Sequence, residues 1–399
     1  PDQIRNMMPA LRQDRLLGAY QYYDALMDDS AVVLRLVNES SRLVSTALNY
    51  MTVKQLLRDR TGYCHGVLVK DSSTDAGIYK ELLSKVVINA TGPWCDTLRS
   101  SIGLQGIVRK SRGSHLIFPA SKIPLNQAVT LYHPSDNRVM FAIPWQGTVI
   151  VGTTDLDHSD TEAEEPFATQ QEIDYLLSAI RHNFPTLGIT QSDILSTFSG
   201  LRPLVCQASK ENPSAVSRRH VIIEEDGLIT VSGGKFTTFR IMAQQVMQIA
   251  MKRFSALRKS GWRKTPIIDP LSTENEFPEF ISQQVDLAGY SRLLGRYGVV
   301  LPDLMANIKP EYLSQIDNTP YLWAEIIWAC ETSAILHLDD LILRRLRLGL
   351  LLPEGAKAEL GKIKAIARPV LGWDESKWQA EEDRYWERWN RYYSPAPSG

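Results

Sequence analysis

The hydrophobic periodicity of the chain changes near residue 290, and this change constrains the fold more than any other feature of the sequence. Before it, short runs rich in β-branched and aromatic residues alternate with turn residues, most densely over residues 106–156. After it, apolar residues recur at helical spacing. The two patterns bury different faces of the backbone, so they predict different architectures. We therefore expect an α/β (α+β) region over residues 1–255, a polar connector over 256–290 and a C-terminal all-helical domain over 291–399.

The first region contains one segment typical of a nucleotide-binding fold. Residues 86–90 have the composition of a buried strand, which ends in the small-residue turn TGPW before a helix start near Asp96. A strand, a turn and a helix in this order form one half of an α/β nucleotide-binding unit. The β runs that follow are spaced at hairpin distances and predict an antiparallel sheet. Residues 169–185 begin with a threonine cap and predict an amphipathic helix.

Charge and composition argue against several classes of protein. The chain has 44 basic and 45 acidic residues, a formal net charge of −1, whereas a broad nucleic-acid-binding surface needs a basic excess. No apolar stretch approaches the roughly 18 residues of a membrane-spanning helix. The four cysteines are scattered, and the seven histidines form no H-x-x-x-H or H-x-x-E-H pair. We therefore expect no disulfide framework and no metal site.

Three motifs contain residues that could bind an anion or accept a proton. The Gly-Gly-Lys turn at residues 233–235 precedes a long helix, and its alternatives are a cofactor contact and an ordinary tight turn with a surface lysine. Arg202 stands between apolar residues and is either an edge residue or a buried phosphate ligand, with Arg218 as a possible second guanidinium. His115 begins an apolar strand and is either structural or a proton acceptor.

Ten segments together resemble the FAD-dependent, quinone-linked glycerol-3-phosphate dehydrogenases and the related glycerol-phosphate oxidases. They occur in the family's order over nearly the whole chain and read LLGAYQYYDALMDDS, NYMTV, VVINATGPW, RGSHLIFP, RVMFAIPW, VIVGTTD, SGLRPLV, SRRHVI, GLITVSGGKFTTFR and DDLILRRLRLGLL. The resemblance implies a Rossmann-like FAD-binding domain, a β-rich substrate domain inserted at about residues 106–230, and a C-terminal helical cap.

The resemblance also implies a set of site residues. Arg202 and Arg218 resemble the phosphate-binding arginines, while His115 and Lys235 fall where the family has groups close to the substrate. We expect His115, Arg202 and Lys235 to take part in catalysis, with His115 accepting the hydroxyl proton. The residues that resemble the FAD-binding set, with Val53 as a backbone neighbour of the adenine, are Val53, Ala90, Thr91, Gly92, Gly233, Gly234, Lys235, Thr237 and Thr238.

The chain departs from the family's pattern in two places. It contains no G-x-G-x-x-G, the loop whose helix holds the FAD pyrophosphate, and the matching region begins partway into the family's sequence. We therefore expect an incomplete FAD-binding part whose missing segment was removed, is supplied by another chain or is absent. The second departure is Ala31, which stands where the family typically carries an arginine.

The reaction implied by the resemblance is the oxidation of sn-glycerol 3-phosphate to dihydroxyacetone phosphate, with electrons passed to a quinone. Two alternatives stay open: an oxidase that uses oxygen, and a truncated, non-catalytic chain of the same fold that does not bind FAD. Steady-state peroxide production, compared with reduction of a quinone analogue, separates the two enzymatic readings.

The resemblance also bears on location and partners. We expect a cytoplasmic protein or one bound peripherally to the cytoplasmic or inner membrane surface, possible homodimerisation, and no nucleic-acid partner. The candidate membrane contact, for which a solvated linker is the alternative, is the basic cluster formed by Lys252, Arg253, Arg258, Lys259, Arg263 and Lys264.

Overall fold

The computed structural model describes residues 2–14, 16–43, 45–73, 77–159, 165–205, 219–253, 266–268 and 285–395. The strands of this part of the chain are β1 (Met51–Arg58), β2 (Cys64–Asp71), β3 (Tyr79–Leu83), β4 (Val87–Asn89), β5 (Val108–Pro119), β6 (Val129–Tyr132), β7 (Val139–Trp145), β8 (Thr148–Gly152), β9 (Leu156–Asp157), β10 (Ser196–Val205), β11 (Val221–Glu225) and β12 (Leu228–Ser232). Its α-helices are α1 (Asp2–Met7), α2 (Asp29–Arg42), α3 (Cys95–Ser100), α4 (Gln170–Asn183), α5 (Phe239–Met251), α6 (Leu287–Tyr297), α7 (Leu301–Ala306), α8 (Trp323–Thr332), α9 (Leu348–Leu351), α10 (Leu360–Leu371) and α11 (Glu375–Tyr392).

The described strands form three sheets. Strands β1, β2 and β3 make a small antiparallel sheet. A larger antiparallel sheet has the order β10-β5-β8-β7-β6, with β9 beside β5. In the third sheet β12 pairs antiparallel with β11 and parallel with β4. Helices follow from residue 287 onward, so the α+β class expected from the sequence is confirmed.

Strand β5 positions the large sheet between two cores. Successive side chains of a strand point to opposite faces, and here Leu116 and Phe118 pack with helix α4 while Ile117 packs with the C-terminal helices. Helix α4 follows from its sequence as expected: Thr169 accepts a hydrogen bond from the backbone N–H of Glu172, and the Glu172 carboxylate returns to Thr169. The sheet is therefore covered on both sides.

The C-terminal helices surround an aromatic core. Trp378 and Tyr385 are on the buried face of α11, with no exposed surface, and pack with Leu341 and Ile363. The aromatic residues on this face of α11 therefore serve helix packing. None of the described helices is both long enough and apolar enough to cross a bilayer.

Two segments fold differently from the pattern in their sequence. Residues 47–53 resemble a strand, but the strand begins at Met51 because Tyr50 has a left-handed backbone (φ 57°) and donates a hydrogen bond to Asp340 (2.8 Å). The run KELLSKVVINA has the composition of continuous extended backbone, but it divides between β3 and β4, which belong to different sheets. Local pattern predicted the extended backbone but not its pairing partner.

Candidate active site

The pairing of β5 with β10 and β8 packs His115 tightly between residues of both neighbouring strands. Opposite it stand Phe198 on β10 and Gly152 on β8. The imidazole stacks on the Phe198 ring, with centroids 4.7 Å apart and planes 13° from parallel. A Cβ atom at position 152 would overlap the imidazole, so this position requires glycine.

Arg202 lies beside His115 on the neighbouring strand. Its guanidinium covers Gly113, where a side chain would occupy the same space. It donates to the Thr153 hydroxyl (3.1 Å) and the Thr154 carbonyl (3.4 Å), and lies 3.5 Å from the Asp155 carboxylate. These contacts hold a positive charge next to the histidine.

Asp155 lies between two arginines. Besides Arg202, it contacts Arg138 at 3.4 Å and accepts a hydrogen bond from the Ser111 hydroxyl. Its side chain is 9% exposed. The carboxylate thus fixes both guanidiniums on one face of the large sheet.

Burial and the Arg202 charge set the protonation of His115. Desolvation, and next the nearby guanidinium, lower the pKa of His115 to about 4. Its buried Nδ1 finds no hydrogen-bond partner among the described residues. The imidazole is therefore neutral at pH 7 and chemically able to accept a proton.

A buried carboxylate supports this part of the sheet from behind. Glu172 is 1% exposed and accepts hydrogen bonds from the Ser114 and Thr154 hydroxyls, both at 2.7 Å. It also pairs with Arg112 at 3.2 Å. Because Ser114 precedes His115 and Thr154 is beside the Arg202 contacts, Glu172 ties helix α4 to the strands that carry both residues.

Two turns lie at the carboxyl ends of adjacent parallel strands, the position at which α/β sheets bind nucleotides. Strand β4 leads into the turn containing Gly92, and β12 leads into the turn containing Gly233 and Gly234. All three glycines have positive φ, and a Cβ at Gly92 would meet no atom within 4 Å. Gly233 approaches Val205 at the end of β10, so this turn adjoins the strand that carries Arg202.

The remaining residues expected at the site lie in several environments. Ala90 and Thr91 are exposed beside the Gly92 turn, and the Thr91 hydroxyl donates to Asn89 (2.7 Å). Lys235 and Thr237 are exposed, and Thr238 donates from its hydroxyl to the Lys235 carbonyl (2.8 Å).

Val53 and Arg218 are the other two residues that the sequence placed at the site. The Val53 side chain packs in the small core around Leu56 and Leu228. Arg218 lies outside the described residues. The structure thus brings His115 and Arg202 together and groups the glycine turns beside β10.

Sequence reasoning missed Asp155, Glu172, Arg138 and Phe198. A capping pattern at Thr169 marks Glu172 as the start of a helix, but its contacts with the sheet depend on tertiary structure. Asp155 stands in the quoted VIVGTTD segment, where its neighbours are not visible from sequence.

Comparisons with known proteins identify the family. Residues 1–249 match the FAD dependent oxidoreductase family, and residues 231–378 match the C-terminal domain of alpha-glycerophosphate oxidase. Glycerol-3-phosphate dehydrogenase 2 of Mycobacterium tuberculosis is 31% identical over 395 residues, 96% of this chain. The chain belongs to the FAD-dependent glycerol-3-phosphate dehydrogenase family. The aerobic glycerol-3-phosphate dehydrogenase of Staphylococcus aureus is 30% identical over 84% of the chain.

A solved member of this glycerol-3-phosphate dehydrogenase family has the same fold. The glycerol-3-phosphate dehydrogenase from Bacillus halodurans, determined in complex with FAD, is 26% identical and superimposes with a TM-score of 0.76. That comparison covers 97% of this chain and 77% of the solved one. The chain spans 66% of the length of the M. tuberculosis relative and 63% of the S. aureus relative.

The described residues fit part of FAD, the dinucleotide cofactor of this glycerol-3-phosphate dehydrogenase family. Open space at Gly92, the exposed Ala90 and Thr91, and the second glycine turn leave room beside two parallel strand ends. Exposed aromatic surface is also present there, since Trp94 is 42% and Phe236 38% exposed. These features suit a flat, largely apolar ring system, whereas the sequence has no G-x-G-x-x-G loop for the pyrophosphate.

Proposed function

We propose that this protein takes part in the FAD-dependent oxidation of sn-glycerol 3-phosphate to dihydroxyacetone phosphate. The observation that carries the proposal is the placement of Arg202 and the neutral His115 on neighbouring strands, beside the glycine turn that Val205 contacts. Membership of a family whose relatives are named glycerol-3-phosphate dehydrogenases supports the choice of substrate.

Each residue in the proposal has a separate task. Arg202 binds the substrate phosphate, for which its planar, permanently charged guanidinium is suited, and Arg218 is the proposed second ligand. His115 accepts the proton of the secondary hydroxyl, and Lys235 stabilises negative charge on that oxygen. Bound FAD supplies the acceptor for the hydride that leaves carbon.

The residues proposed to hold FAD lie around the two turns, except for Val53, which lies in β1. Ala90, Thr91 and Gly92 contact the dinucleotide, and the backbone of Val53 adjoins the adenine. Residues 233–238 form the wall beside the isoalloxazine, through Gly233, Gly234, Lys235, Thr237 and Thr238.

The proposed electron acceptor is a quinone. The match of residues 231–378 to a glycerophosphate oxidase domain makes oxygen the enzymatic alternative. The remaining alternative is a non-catalytic chain of the same fold that does not bind FAD, and a flavin titration distinguishes it.

A reductive titration tests the proposal. Purified protein is mixed with FAD, separated from unbound cofactor, and treated anaerobically with glycerol 3-phosphate. We expect a bound flavin spectrum that bleaches on addition of substrate. Absence of bound flavin after reconstitution would contradict catalysis by this chain, and bound flavin that substrate does not reduce would contradict the substrate assignment.

Matched arginine variants test the site. In Arg202→Gln we expect normal flavin content and a loss of roughly 10- to 150-fold in kcat/KM, since a charge-assisted hydrogen bond contributes about 1.5–3 kcal/mol. Arg391→Gln, which changes an exposed arginine of helix α11, should behave like the wild type. Equal rates in both variants would remove Arg202 from the site. Reduction of a quinone analogue, compared with peroxide production, then identifies the acceptor.

Peripheral membrane binding and a homodimer belong to the same proposal. Of the basic cluster, Lys252 and Arg253 are described, and Arg253 pairs with Glu224 at the surface. The other members, Arg258, Lys259, Arg263 and Lys264, lie outside the described residues. Co-sedimentation with anionic vesicles at low and high salt tests the membrane contact, and light scattering after gel filtration tests the dimer.

A further inference from the structure

A cavity lies away from the proposed substrate site. Helices α2 and α6, the turn between β7 and β8, and residues 320–321 enclose a cavity of about 430 Å³. Trp145 and Gln146 line it from one end of the β7–β8 hairpin, whereas Gly152, which faces His115, is at the other end of β8. The cavity is thus separate from the His115 environment.

One wall of this cavity carries a buried arginine with unused donors. Arg35 of helix α2 is 4% exposed, and its Nε donates to Glu39 at 2.8 Å. Both of its terminal nitrogens find no hydrogen-bond partner among the described residues. The buried Nε of Arg292, on the facing helix, also has no hydrogen-bond partner among the described residues. Buried charged donors without acceptors are unfavourable. Within the part of the chain that the structure describes, this wall offers no acceptor for the terminal nitrogens of Arg35.

Nearby carboxylates are already engaged. Asp28 accepts from the Ala31 backbone, from Gln146 and from two arginines, and Glu325 pairs with Arg292 and Arg296. The exposed Asp29 reaches one of these arginines as well. Around the cavity, the guanidiniums of Arg35, Arg292, Arg296 and Arg347 face the buried or half-buried carboxylates of Asp28, Glu39 and Glu325. With Asp29 counted, four guanidiniums face four carboxylates, so the charges balance. What remain without an acceptor among the described residues are the two terminal nitrogens of Arg35 and the Nε of Arg292.

Apart from Gln146, the rest of the lining is apolar. Leu26, Val32, Trp145 and Tyr321 contribute aliphatic and aromatic surface to the same space. A site with few charged donors and mostly apolar walls selects a ligand of matching chemistry. An inorganic ion would leave this apolar surface uncovered.

We propose that this cavity binds an organic anion, whose carboxylate or phosphate group accepts hydrogen bonds from Arg35 and whose apolar body packs between Val32, Trp145 and Tyr321. The anionic group supplies the acceptors that the terminal nitrogens of Arg35 lack. The apolar body covers the remaining walls.

Calorimetric titration of the full chain tests the proposal with octanoate, octyl phosphate and the uncharged 1-octanol. We expect one saturable site for at least one of the two anions and none for 1-octanol. Arg35→Gln should weaken anion binding by about tenfold or more, the loss expected when a charge-assisted hydrogen bond is removed. Arg42→Gln, an exposed arginine on the same helix that contacts the same Glu39, should bind like the wild type.

A cavity-filling variant provides an independent test, including the case in which Arg35→Gln does not fold. A Cβ at Gly295 would meet no atom within 4 Å, and Gly295 lines the cavity, so Gly295→Phe is designed to place its ring there. It should abolish binding while retaining Arg35. Arg35 also borders a smaller cavity of about 300 Å³ that Gly295 does not line. Unchanged affinity in Arg35→Gln or Gly295→Phe, equal binding of 1-octanol, or no saturable binding of either anion would overturn the proposal.

Discussion

Replacement of Glu172 tests how the candidate site is held together. Its two carboxylate oxygens have different partners. Oε1 accepts from the hydroxyls of Ser114 and Thr154, both at 2.7 Å. Oε2 accepts from the Arg112 guanidinium at 3.2 Å and from the Thr169 backbone at 3.1 Å. The first pair of donors can rotate and become acceptors, whereas the second pair cannot.

This asymmetry sets the expected magnitudes. Glu172→Leu keeps an apolar volume but removes every acceptor, including the charged partner of Arg112, which is only 8% exposed. Removing one member of a buried ion pair costs about 3–5 kcal/mol, a large part of the roughly 5–15 kcal/mol that stabilises a typical protein. In Glu172→Gln the amide can turn its oxygen toward Arg112 and its NH₂ group toward the two hydroxyls. Only the charge is lost, so we expect about 1–2 kcal/mol.

Urea unfolding followed by far-UV circular dichroism measures both changes as midpoint shifts at a constant m value. Asp174→Asn on the same helix is the control, because Asp174 is exposed and should change stability by less than about 0.5 kcal/mol. A Glu172→Leu protein within 1 kcal/mol of the wild type, or a glutamine variant as unstable as the leucine variant, would refute the assigned hydrogen bonds.

Three further predictions concern pH and local packing. Because the pKa of His115 lies near 4 in the folded chain and near 6.5 when unfolded, the unfolded chain binds the extra proton between these values, and stability falls as pH decreases. Between pH 7 and pH 5 the wild type should lose about 2 kcal/mol more of its free energy of unfolding than His115→Gln does, as measured by urea midpoints at both pH values. If the free energy of unfolding of the variant depended on pH as steeply as that of the wild type, the burial argument would be contradicted. Glu381 is hydrogen-bonded to His337 and Lys377, and its pKa is lowered to about 2. Its contribution to the stability of the folded chain is therefore present above about pH 4.5 and disappears as pH falls through 2. In thermal melts, Glu381→Gln should be less stable than the wild type at pH 7, and the difference should be much smaller near pH 2. Gly152→Ala should displace the His115 imidazole and lower kcat by roughly 100-fold with flavin content unchanged, whereas unchanged turnover would show that the ring position does not matter.

Much of the secondary structure could be predicted because it depends on local signals. The Thr169 cap and the apolar spacing that follows define helix α4, and the turn-separated β runs define the large sheet. Which strands pair with each other was harder to predict from the sequence. The residues of β3 and β4 are separated by only three positions, yet β3 pairs with β2 and β4 joins β12 across a long stretch of chain. Such pairing is decided by which surfaces become buried and not by local propensity.

The candidate site could be predicted only in part, because local signals identify single residues but not their partners in space. His115 and Arg202 carry chemistry that marks them individually, but their proximity depends on the register of β5 and β10, in which Phe198 opposes His115 and Ser111 opposes Arg202. Asp155 and Glu172 are ordinary acidic residues in sequence. Their importance comes from being buried among arginines and hydroxyls, which only the assembled sheet provides.

Strand β10 connects the separate parts of the candidate site. Along its length Phe198 stacks on the His115 imidazole, Arg202 contacts Asp155, and Val205 adjoins Gly233 in the turn after β12. A shift of one residue in its pairing with β5 would move every side chain of the strand to the opposite face. Arg202 would then leave His115 and Phe198 would leave the ring that it covers. The register of this one strand therefore fixes the spacing between the proposed proton acceptor His115, the proposed phosphate ligand Arg202 and the glycine turn. The alignment of β5 with β10 thus matters more to the proposed chemistry than any single contact within it.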